Sequence, residues 1–127
     1  MKPLTREWIE KADGDFLTAG RELRARKAPN FDAVCFHSQQ CAEKYLRAVL
    51  QENEKRIPKI HNLIELMKFC QEIDTSFEML RADLILLERY SVRFRYPGEF
   101  AVKGEAQRAY QAMKTVREFV RQKLGAR

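Results

Sequence analysis

Glycine and proline are scarce in this chain, at 5 and 4 of 127 residues, and little else interrupts it. Such sparse punctuation leaves no room for a many-stranded, turn-rich architecture. Apolar runs are short, and none approaches the roughly 18 residues needed to span a bilayer. The opening MKPLTREWIEKADGDF is acidic where a secretory leader needs an apolar centre, so the expected compartment is the cytoplasm. Cysteine is limited to Cys35, Cys41 and Cys70, an odd number within apolar-periodic segments. They read as small buried hydrophobes in a reducing compartment. No CxxC or HxxxH pair occurs, and neither a metal nor another cofactor is expected. Histidine is restricted to His37 and His61.

What the chain does have is helical periodicity. Residues 1–127 read as one domain, with 45% apolar and 33% charged residues, a balance that suits a single core. The net charge of +6 favours an acidic partner such as a nucleotide, RNA or an acidic protein surface. Trp8, Ala12, Phe16, Ala19 and Leu23 draw an apolar stripe along a first helix from Thr5, its expected cap, to Arg26. The RELRARK segment is the cationic end of that helix, complementing its dipole. A second helix starts after Asn30 and reaches Glu52, and a loop follows over Asn53–Lys59. A third helix starts near His61-Asn62, and a fourth is capped around Asp74 with Leu80, Leu84, Leu87 and Tyr90 inward. The last spans Gly104 to Leu124. These spans predict an all-α, antiparallel up-and-down bundle of about five helices.

Two stretches carry candidate chemistry. On a helical wheel of residues 31–50, FDAVCFHSQQCAEKYLRAVL, the cysteines fall on the core side. His37, Gln40, Lys44, Arg47 and Gln51 form a polar stripe, with Gln39 and Glu43 at its border. Glu43 and Arg47 are spaced for an i,i+4 ion pair. Phe36 sits beside Gln40 and Glu43, and a large aromatic on a polar side marks a packing or subunit surface. Phe36 and Glu43 are therefore the expected interface residues. The second stretch, YSVRFRYP at 90–97, alternates Arg93 and Arg95 with Tyr90, Phe94 and Tyr96 before a Pro-Gly turn. Guanidinium groups grip phosphate and aromatic rings stack on bases. Arg93, Arg95, Tyr96 and Tyr90 are the expected ligand-binding residues, with Lys44, Gln40, His37 and His61 as a facing wall.

FHSQQCAEKYLRAVL at 36–50, IHNLIELMKFC at 60–70 and LERYSVRFRYPGEF at 87–100, in that order, resemble a HEPN domain over almost the whole chain. The resemblance implies a five-helix bundle that dimerises through helices and partners a minimal nucleotidyltransferase. Toxin members are metal-independent endoribonucleases whose Arg and His are separated by four to six residues. Here no histidine follows Arg93 or Arg95. That spacing occurs only at Arg56–His61, RIPKIH, in the loop before the third helix. These two are the candidates for catalysis if the chain has any, and tyrosines, with a usual pKa near 10, are poor substitutes. The expectation is a module without chemistry of its own that binds nucleotide or RNA as a homodimer or higher homo-oligomer. The alternatives are an endoribonuclease of a toxin–antitoxin pair and a pure oligomerisation module.

Overall fold

The computed structural model describes residues 1–91 and 93–126, with Arg95 described through its backbone alone. Among the described residues there are five α-helices and no strand: α1 Pro3–Arg24, α2 Phe31–Glu52, α3 Leu63–Gln71, α4 Arg81–Glu88 and α5 Lys103–Leu124. Short 3₁₀ turns cover Thr75–Leu80 and Arg93–Arg95. No helix among the described residues is long and apolar enough to cross a membrane.

Three side-chain caps form. Asn30 accepts a hydrogen bond from Ala33 N at 3.0 Å, and Asn62 accepts from Ile64 N and Glu65 N at 2.9 and 3.0 Å. Asp74 accepts from Ser76 N at 2.9 Å. Each supplies an acceptor to amides that have no partner within their own helix. Thr5 is not a cap. The first helix begins at Pro3, whose missing N–H costs nothing at the first helical position, and Thr5 is buried within it. The expected fourth helix is divided, because its first six residues wind as the tighter 3₁₀ turn.

Side-chain pairs give the directions of packing. Lys2 N donates to Glu52 Oε1 at 3.0 Å, joining the start of α1 to the end of α2, so these two helices are antiparallel. Asp13 meets Arg117, and Phe16 stacks on Tyr110 with centroids 5.8 Å apart, so α5 also runs opposite to α1. The pairing of Asp74 with Lys123, and of Phe77 with Phe119, sets the 3₁₀–α4 segment antiparallel to α5. Helix α2 is the central element: Val34, Cys35, Cys41, Ala42, Tyr45, Leu46 and Ala48–Leu50 are all buried.

All three cysteines are fully buried and unpaired. Burial pushes the Cys35 and Cys70 thiols up to about 12. Since the thiolate is the reactive form, the folded protein is expected to give no fast-reacting thiol with Ellman's reagent. Three should appear once the chain is unfolded in urea. A rapidly labelled thiol in the native protein would contradict this packing.

Candidate functional site

Glu43 lies at the centre of the polar side of α2, and only 6% of it is exposed. Its Oε2 accepts from Arg47 Nε at 3.2 Å and from His61 Nδ1 at 3.0 Å, while Oε1 lies 3.4 Å from Gln39 Nε2. Arg47 is equally covered. Its remaining guanidinium nitrogens donate to main-chain carbonyls, Nη1 to Pro58 O at 2.9 Å and Nη2 to Ile60 O. Trp8 stands 5.9 Å from the guanidinium carbon. These contacts correct the helical-wheel reading. Arg47 does not belong to an open stripe, and Glu43 is covered by its own chain. The segment 57–61 folds across this side of α2, and Arg47 holds it there by its backbone.

The result is a cleft of about 490 Å³ lined by Phe36, Gln39, Gln40, Glu43, His61, Asn62, Glu88 and Ser91. Four residues expected from sequence, Phe36, Gln40, Glu43 and His61, thus come together. A carboxylate can only accept, so His61 Nδ1 carries the proton in this contact. The other ring nitrogen, Nε2, is directed away from Glu43 on a side chain that is 79% exposed. Glu88 is engaged as well, accepting from Leu63 N at 2.8 Å.

Beside the cleft runs a shallow groove that includes Trp8, Lys44, Lys59 and His61. The loop that forms its edge exposes Lys55, Arg56 and Lys59. No carboxylate among the described residues forms an ion pair with any of the three; the nearest acidic residue in sequence, Glu54, is bound to Lys2 at 2.7 Å. This cationic rim was absent from the sequence expectation. Its signal was the cluster KRIPK, in which the prolyl turn keeps the charges off a helix. Arg56 itself lines a different depression, with Ile57, Pro58 and Phe69.

The remaining expected residues are distributed elsewhere. His37 Nδ1 and Lys44 Nζ both bind Asp15, at 2.7 and 2.6 Å, so they share one nearly buried carboxylate between α1 and α2. Tyr90 is a core residue, 3% exposed and stacked on Phe94 with centroids 5.5 Å apart. It continues the apolar side of α4. Arg93 is exposed but committed to carboxylates, with Glu105 at 3.2 Å and Glu99 at 3.8 Å, and it lies 4.9 Å from the Phe94 ring centre. It is not part of the cleft lining. Tyr96 is 68% exposed, and the side chain of Arg95 lies outside the described residues.

A third charged cluster ties the bundle together. Asp13 accepts from the Tyr45 hydroxyl, from Arg117 Nε at 3.0 Å and from Arg121 Nη1 at 3.2 Å. Burial first, and the Asp13 carboxylate second, push the Tyr45 phenol above its usual range.

No curated protein sequence matches the chain. Among solved structures, the crystal structure of TT1696 from Thermus thermophilus superposes with a TM-score of 0.79 at 21% identity, covering 94% of this chain and 97% of that one. At that identity the likeness shows the shared fold. The HEPN domain family model matches residues 5–123, which is nearly the full length, and the chain therefore belongs to the HEPN domain family.

Proposed function

We propose that this HEPN domain is a binding and partner module for nucleotide or RNA, acting in the cytoplasm as a homo-oligomer alongside a minimal nucleotidyltransferase. The observation that carries the reading is the cationic rim. Among the described residues, Lys55, Arg56 and Lys59 have no carboxylate partner, and the loop that carries them supplies Lys59 and His61 to the groove beside a cleft of small-ligand size, within the usual range of roughly 300–1,000 Å³. Phosphate is the natural counter-charge for such a loop. Arg93 fits this role less well than the sequence suggested, because Glu105 and Glu99 already hold it.

The test is binding of a short RNA as a function of salt. The logarithm of affinity should fall linearly with the logarithm of salt concentration. Replacing any one of the three rim cations with alanine should reduce the slope by about 1. Salt-independent binding, or none at low ionic strength, would reject the assignment. Co-purification with the product of an adjacent nucleotidyltransferase reading frame tests the partnership.

One observation favours the endoribonuclease reading: Glu43 orients an exposed imidazole at the mouth of a cleft, the arrangement a general base requires. Arg56, the other half of the spacing match, lines a separate depression. RNA cleavage by purified protein without metal, abolished in His61→Ala, would establish that activity.

A further inference from the structure

Both histidines present Nδ1 to a carboxylate, and the contrast between them singles out His61. The His37 side chain is 29% exposed, and its partner Asp15 is shared with Lys44. The His61 side chain is 79% exposed, yet the Glu43 side chain that holds it is only 7% exposed and is itself gripped by Arg47. An open imidazole is therefore oriented by a covered and anchored acceptor. Because the carboxylate takes the Nδ1 proton, the ring's lone pair lies on Nε2. That nitrogen has no hydrogen-bond partner among the described residues.

An imidazole nitrogen in this state is a nucleophile, and its surroundings select the electrophile. The groove lined by His61 is about 480 Å³ and includes Trp8, Lys44 and Lys59. Lys59 stands two residues before His61 on the same loop and pairs with no carboxylate among the described residues. Glu43, the carboxylate of that lining, is already taken by Arg47 and His61. An approaching dianion thus meets ammonium groups without an unpaired carboxylate to repel it. Lysines alone would hold phosphate, whereas the oriented imidazole can react with it.

We infer that His61 is a phosphoryl acceptor, taking phosphate onto Nε2 from a small acyl phosphate drawn in by Lys59. The Nε2 lone pair forms the N–P bond while the bond from phosphorus to the acyl oxygen breaks, and the carboxylate leaves with that electron pair. No proton is transferred. The ring keeps its Nδ1 hydrogen and becomes cationic, and Glu43 already accepts from that hydrogen at 3.0 Å, where it stabilises the new charge. A dianionic donor yields a carboxylate and a singly negative phosphohistidine, so charge balances. This modification goes beyond the binding role above and does not depend on RNA binding.

Incubation of the full chain with radiolabelled acetyl phosphate, followed by measurement of acid-labile, base-stable protein-bound label, tests the inference. The native chain should be labelled at least about tenfold faster than N-acetylhistidine at the same concentration, the effect of one charged hydrogen bond made in the transition state. His61→Ala should abolish the label and His37→Gln should retain it, with circular dichroism showing both variants folded. Lys59→Ala should slow labelling about tenfold. Label that persists in His61→Ala, or a native rate no faster than that of N-acetylhistidine, overturns the inference.

Discussion

Arg47→Ala should destabilise the fold by about 3–5 kcal/mol, the cost of leaving one partner of a buried ion pair alone. The expectation follows from position. Arg47 and Glu43 side chains are each only 7% exposed, so neither charge recovers much hydration when the other is removed. The same truncation releases the carbonyls of Pro58 and Ile60, which have no other donor from that side chain to hold them. Arg47→Lys should recover little, because one ammonium cannot reach a carboxylate and two carbonyls in the fixed geometry of a guanidinium. Urea unfolding followed by circular dichroism gives the readout. An Arg47→Ala stability within about 0.5 kcal/mol of the parent, the range of an ordinary surface change, would show that the clamp adds nothing. His61→Ala, which removes only the exposed member of the network, should be far milder.

Asp13→Ala is expected to cost about 2–4 kcal/mol, since hydrogen bonds to charged groups contribute roughly 1.5–3 kcal/mol each and partial exposure of this cluster reduces their sum. One carboxylate on α1 receives the Tyr45 hydroxyl from α2 and both Arg117 and Arg121 from α5. Its removal leaves a buried phenol without its acceptor and takes the Asp13 carboxylate from between two neighbouring guanidinium groups. Arg117 retains the Phe16 ring at 4.2 Å, which offsets part of the loss. Asp13→Asn keeps an acceptor of the same size and should fall between the two. A denaturation midpoint for Asp13→Ala equal to that of the parent would mean that the three helices are held by apolar packing alone.

The helix spans were legible because their signals are local. Asn30 and Asp74 cap as expected, the third helix starts after Asn62 as expected, and the stripe through Leu84 and Leu87 is buried. The division of the fourth helix was not legible, since Thr75–Leu80 carries the same apolar spacing in either helical form. The site was half legible. A wheel placed Phe36, Gln40 and Glu43 on one side of α2, and the structure brings them into a single cleft with His61. It could not show that residues 57–61 return across that side, so it left Arg47 in solvent and Glu43 at a border. The same limit applies to Arg93, whose carboxylate partner Glu105 is 12 residues away on another helix. Tyr90 was ambiguous from the start, because an aromatic ending an apolar stripe serves a core as readily as a ligand.

The way Arg47 holds its loop has a consequence for how this surface can diverge. It grips carbonyl oxygens, which every residue possesses, instead of particular side chains of the loop. The path of the backbone is therefore decoupled from the identity of the residues it displays. Substitutions at positions 55, 56 and 59 can therefore change the charge this surface displays while the anchoring stays intact.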